Sequence, residues 1–99
     1  MDKQRKIDFS IGIFDKITDG IIEKIKREAE KCELYGVGVY TDEIIIKEYM
    51  TYPVNTTEQR MKLVRQIEGV DFVFKLNNTD TKEVKKIIEQ ACREALKNK

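Results

Sequence analysis

In Ile7-Asp8-Phe9-Ser10-Ile11-Gly12 apolar residues take every second position, the two-residue period of a strand with one covered face. The basic stretch before it, Met1 to Lys6, is expected to be a frayed lead-in. The period then changes. Ile21, Ile22, Ile25, Ala29 and Cys32 recur at helical spacing opposite a charged face, with Thr18 and Asp19 as N-cap residues, which predicts an amphipathic helix over Thr18–Lys31. The run Leu34-Tyr35-Gly36-Val37-Gly38-Val39-Tyr40-Thr41, bounded by polar residues, reads as a buried strand.

Asp42 to Met50 fits a short helix or a loop, and Tyr52-Pro53 breaks any helix that reaches it. Thr56 or Thr57 caps a third segment, in which Met61, Val64 and Ile67 share a face and Gly69 ends the helix. Val70 to Leu76 is the clearest strand. Thr81 then caps a last helix with an apolar stripe of Val84, Ile87, Ile88, Ala91, Cys92, Ala95 and Leu96. Strands alternating with amphipathic helices imply an α/β fold of three layers, a short parallel sheet with helices on both faces. Three strands leave edges that need protection, and a dimer is one route to it.

Composition narrows the function. The 99 residues fit one domain, 1–99, and 40% apolar against 37% charged side chains is a globular balance. A chain of this length buries only about 60–65% of its unfolded surface, so its core is modest. Nineteen basic against eighteen acidic residues leave a net charge of +1, which argues against a nucleic-acid partner. No apolar run approaches the roughly 18 residues that span a bilayer, and no signal-peptide pattern opens the sequence, so no membrane partner and a cytoplasmic location are expected. Histidine is absent. That removes the commonest general acid–base, the commonest metal ligand and every Ser-His or Cys-His relay, so no catalytic residue is assigned. Cys32 and Cys92 lie on predicted helix stripes and read as buried thiols; two cysteines alone do not make a zinc site.

In open α/β sheets ligands bind beyond the carboxyl ends of the strands, which directs attention to Gly12–Asp15, Tyr40–Glu43 and Lys75–Asn78. Gly12-Ile13-Phe14-Asp15 lies between a strand and a helix N-terminus, which fits a tight turn first and a phosphate site second. Asp15, Asp42, Glu43 and Asp71 have no spacing diagnostic of a metal site. Tyr35, Tyr40, Tyr49 and Tyr52 gather around the second strand, as core and rim or as a contact surface.

Five segments in order carry a resemblance: GIFD at 12–15, YTDE at 40–43, Pro53, EQR at 58–60 and VDFVF at 70–74. Together they resemble the cytidylyltransferase branch of the nucleotidyltransferases, which use G-T-F-D, H-x-G-H, S-T-D-E, P…E-x-R and V-D-x-V. The resemblance covers about Lys6 to Leu76. It implies a Rossmann-like nucleotidyltransferase half-fold and places nucleotide contacts, in vestigial form, at Gly12, Ile13, Phe14, Asp15, Thr18, Gly20, Lys47 and Arg60. CTP and magnesium are the ligands of an active member.

The departures point away from catalysis. Thr18-Asp19-Gly20-Ile21 falls on H-x-G-H, and only Gly20 is retained. The family's two imidazoles stabilise charge on the departing pyrophosphate; each such donor contributes roughly 3–4 kcal/mol. Asp19 adds negative charge where a triphosphate would sit. Met50-Thr51-Tyr52 replaces the basic residue before the proline, leaving Lys47 as the nearest cation. The family continues through two more strands to R-x-x-x-I-S-T-T, where this chain offers one helix; Asn78-Thr79-Asp80-Thr81 is a remnant of that loop or an ordinary cap. The expectation is a catalytically impaired domain that binds a nucleotide or another protein. The alternative is a minimal enzyme joining CTP to a small phosphorylated alcohol such as glycerol-3-phosphate. The family's dimer segment aligns with Glu68, Val70 and Asp71, so a homodimer or a partner protein is expected there or at an open sheet edge.

Overall fold

The computed structural model describes residues 5–97. Its elements are β1 (Arg5–Gly12), α1 (Asp19–Ala29), β2 (Cys32–Tyr40), α2 (Asp42–Tyr49), α3 (Thr57–Arg65), β3 (Phe72–Leu76) and α4 (Thr81–Lys97). The sheet order is β1-β2-β3 and both pairings are parallel, with Phe9 beside Gly36 and Gly36 beside Phe72. The α/β architecture read from the sequence is therefore the one observed.

Alternation assigns the two faces of the sheet. Tyr35, Val37 and Val39 of β2 point to one side, where they are buried with Ile25 and Ala29 of α1, Met61 and Val64 of α3, and Ile67. Val37, Val39 and Val64 are fully excluded from solvent, each stabilising the fold by about 1.5–3 kcal/mol. Tyr35 is also buried, and its hydroxyl is hydrogen-bonded to Ser10 on β1. Burial raises the Tyr35 pKa above its ordinary value.

The opposite face is built around two missing side chains. A Cβ on Gly36 would collide with the Phe72 ring, and one on Gly38 would stand 2.7 Å from the Phe74 ring and 3.0 Å from Leu76. The central strand is bare there so that the aromatic rings of β3 can lie across it. Helix α4 packs against β3 on this side, and Phe74, Ile87 and Ala91 line a common cavity between them. Coverage stops short of β1, where Phe9 and Ile11 remain 38% and 36% exposed.

Several boundaries differ from the sequence reading, each for a local reason. Arg5 and Lys6 already belong to β1; Met1 to Gln4, the rest of the expected frayed end, lie outside the described residues. Helix α1 is shorter than expected, starting after its Thr18 cap and ending at Ala29. Cys32 is not on a helix: it opens β2, buried, with its thiol donating to the Leu34 carbonyl at 3.3 Å. Asp42–Tyr49 is helical, and Met50 stops it in the left-handed conformation with φ 53°. Helix α3 starts with a reciprocal Thr56–Gln59 capping box and ends at Arg65, four residues before Gly69, which takes φ 100° in the following turn. Asp80, not Thr81, caps α4, its Oδ1 accepting from the N–H groups of Lys82 and Glu83 at 2.9 and 3.3 Å. The stripe of α4 exists, yet none of its residues is fully buried, and Cys92 is half-buried. Among the described residues no helix is long and apolar enough to cross a membrane.

The bare central strand makes a direct prediction. Gly36→Ala and Gly38→Ala force the rings of Phe72 and Phe74 off the sheet and are expected to cost about 1–3 kcal/mol each in urea unfolding.

Candidate functional site

The carboxyl ends of the strands are held by one buried cation. Arg60 enters from the first turns of α3 and has no solvent exposure. A guanidinium has five N–H donors, and a buried one needs an acceptor for each. All five are matched. Nη1 donates to the carbonyls of Ile13 (2.8 Å) and Tyr40 (2.7 Å), Nε to the carbonyl of Asn55 (3.1 Å), and Nη2 to Asp42 Oδ1 (2.5 Å) and Thr57 Oγ1 (3.2 Å). The segments after β1, after β2 and before α3 are thus fastened to one group.

A second clamp lies beside it. Both carboxylate oxygens of Asp15 accept backbone N–H groups, Val54 at 2.7 Å and Asn55 at 2.8 Å, while the Asn55 side-chain amide donates to the Asp15 carbonyl. Those two backbone bonds hold the Asp15 pKa below its ordinary 3.8. For Asp42, partial burial pushes the pKa up, but hydrogen bonds and charge from Arg60 and Thr57 outweigh it, and the net shift is downward. The Thr41 N–H donates to the Leu76 carbonyl at 3.0 Å and joins the ends of β2 and β3. The Thr41 hydroxyl is buried and meets no hydrogen-bonding partner among the described residues.

The nucleotide-contact candidates fall into three groups. Gly12, Ile13, Phe14, Asp15 and Arg60 converge at the strand ends, but through contacts to the protein. Phe14 takes the left-handed conformation (φ 56°) and its ring lies over Gly12, 2.9 Å from where a Cβ would stand, so this glycine makes room for an aromatic ring. Arg60 has no N–H left over for a phosphate in this arrangement. Thr18 and Gly20 lie at the start of α1; the Thr18 hydroxyl caps the Ile21 N–H at 3.3 Å, and Ile21 packs against the core. Lys47 stands apart, exposed in the last turn of α2. A cavity of about 260 Å³ beside the β1–α1 turn is lined by Gly12, Phe14 and Ile21, with Lys16 and Lys24 among its charged neighbours.

The interface candidates occupy the other end of the sheet. Asp71 joins β3 to β2 by exchanging hydrogen bonds with Tyr35: its N–H donates to the Tyr35 carbonyl, and its carboxylate accepts the Tyr35 N–H, both at 2.8 Å. Val70 packs against the core, and exposed Glu68 pairs with Lys26 at 3.6 Å. The four tyrosines separate: Tyr35 is core, Tyr40 meets Tyr49 with ring centroids 6.2 Å apart, and Tyr52 is 80% exposed. Among the described residues no three His, Cys, Asp or Glu side chains gather into a metal-binding group.

This clamped arrangement at the strand ends coincides with a family-model match, "Cytidylyltransferase-like", over residues 9–97. The chain belongs to the cytidylyltransferase-like family. Among solved structures it is similar to a lipopolysaccharide core biosynthesis protein from Thermoplasma volcanium GSS1, with a TM-score of 0.69 and 21% identity. The alignment covers 84% of this chain and 66% of that one, and at this identity the likeness is one of fold. No curated protein sequence matches the chain.

Sequence reasoning reached Arg60 through the EQR segment, held Thr41 within YTDE and Thr57 as a possible cap without giving either a role at the site, and missed Asn55. Arg60→Met leaves the Asp42 carboxylate and three carbonyls without their donor and is expected to cost about 3–5 kcal/mol in urea unfolding. Acid acts on the same clamps. Because the folded-state pKa values of Asp15 and Asp42 are depressed, their stabilisation is present above the ordinary value of 3.8 and is lost as pH falls through the folded values. Thermal unfolding from pH 6 downward should show that loss, diminished in Asp15→Asn.

Proposed function

We propose that this domain is a cytidylyltransferase-like module that acts by binding or assembly and does not catalyse nucleotidyl transfer. The observation that carries this reading is the start of α1, where the family pattern has its two histidines. There the Thr18 hydroxyl is occupied as a helix cap and Ile21 faces the core. Ile21 supplies no donor and Thr18 only a neutral hydroxyl where the family pattern has two imidazoles, and each donor to the departing pyrophosphate is worth a factor of about 10²–10³ in rate. Asp19, next to the cap, adds repulsion toward a triphosphate.

The rest of the strand-end chemistry supports the same reading. Arg60 and Asp15 bind other parts of the chain, and the nearby carboxylates are engaged by backbone N–H groups or by the guanidinium. A cytosine nucleotide that docked here would rely on Lys16, Lys24 and exposed N–H groups at the start of α1, contacts that position a ligand without activating it.

Calorimetric titration with CTP and magnesium, together with a pyrophosphate-release assay on glycerol-3-phosphate, tests the proposal. The expected outcome is no release above the uncatalysed background, with or without a binding isotherm. Turnover that depends on the protein overturns it.

A further inference from the structure

The cavity of about 260 Å³ beside the β1–α1 turn has hydrocarbon walls and a cationic rim. Ile21 and Ile25, one helical turn apart on α1, line it from one side, and Ile25 is buried. Phe14 lines it at the strand end, in a left-handed conformation (φ 56°) that folds its ring over Gly12. A bulky residue holds that conformation only where its surroundings enforce it, and such outliers gather where ligands are held. Apart from the two lysines, the only polar side chain on the walls is Ser10, whose hydroxyl is already bonded to Tyr35. No amide or carboxylate side chain is there to read a base or a sugar.

Charge sets this cavity apart from others in the domain. The one between α1 and α3 includes Glu68, and the one between β3 and α4 includes Glu83 and Glu94. Here no carboxylate lines the wall. Lys16 and Lys24 are exposed, and neither forms an ion pair among the described residues.

We propose that this cavity binds an amphipathic monoanion, a carboxylate with an apolar body. Its hydrocarbon lies against Phe14, Ile21 and Ile25, and its head group meets Lys16 and Lys24 at the rim. An apolar cavity of about 150 Å³ accommodates benzene, so the larger space here suits a chain of roughly eight carbons. Asp19 opens α1 nearby, and its repulsion grows with ligand charge. A single negative charge is therefore accepted where a triphosphate is not. The inference rests on the reading of this domain as a binding module and gives that module a ligand class other than nucleotide.

Titration of the whole chain with octanoate, followed by ¹H–¹⁵N NMR, tests the assignment. Octanoate is expected to bind with a dissociation constant on the order of 10⁻⁴ to 10⁻³ M, and the shifted amides should centre on Phe14, Lys16, Ile21, Lys24 and Ile25. Octylammonium, the same chain with the opposite charge, should leave those amides unmoved. Lys16→Gln combined with Lys24→Gln should weaken octanoate about tenfold, the effect of two exposed ion pairs. Lys62→Gln, at an exposed position on α3, should leave the affinity unchanged. The same spectra show that each variant is folded. Absence of octanoate shifts, shifts centred elsewhere, equal binding of octylammonium or undiminished binding by the double variant overturns the proposal. Displacement of octanoate by a lower concentration of CTP with magnesium also overturns it, while leaving the non-catalytic reading in place; only protein-dependent pyrophosphate release removes that reading.

Discussion

A guanidinium with no access to water controls the carboxyl end of the sheet. Removing a charge from solvent is costly by several kcal/mol unless every hydrogen-bonding group on it is matched. Arg60 satisfies that condition by collecting acceptors from Ile13, Tyr40, Asp42, Asn55 and Thr57. Its planar fork sets the spacing of those acceptors. The β1–α1 turn, the end of β2 and the loop before α3 therefore take positions relative to one another that are defined by a single side chain. Asp15, bridging the first and third of these, adds a second tie between the same segments.

The clamp has a functional side. A nucleotidyl-transfer site needs polar groups aimed outward at phosphate, held in place before the substrate arrives. Here the strongest polar groups at the strand ends are aimed inward and bind the chain itself. A lysine-flanked cavity lies beside the β1–α1 turn, and the outer edge of β1 meets no strand among the described residues. Family membership settles the architecture; what the domain does follows from which of its polar groups remain unoccupied.

The legible parts of the sequence were those where one local rule decides. The alternation at Ile7–Gly12, the cap at Thr56 or Thr57 and the stripe from Val84 to Leu96 each predicted an element that exists. Where two rules overlap, the reading slipped. Cys32 continues the helical spacing of α1, yet β2 begins only two residues after that helix, and the strand claimed it. The glycines of β2 were read as part of a buried strand but without a purpose, because that purpose lies on β3, in the rings of Phe72 and Phe74. Arg60 was named through family resemblance as a vestigial nucleotide contact. Its observed partners are mostly carbonyl oxygens from distant segments, and a carbonyl has no letter in the sequence.

Met50 carries a consequence of a different kind. Its left-handed backbone ends α2 and turns the chain outward, so that Met50, Tyr52 and Val54 stand 89%, 80% and 89% exposed. Both ends of this excursion are anchored, one by the buried Ile44 and Ile45, the other by the N–H groups of Val54 and Asn55 on Asp15. A chain opened or lengthened between Met50 and Pro53 keeps both anchorages, which makes this hairpin-like bulge the natural place to graft a peptide or relocate the termini.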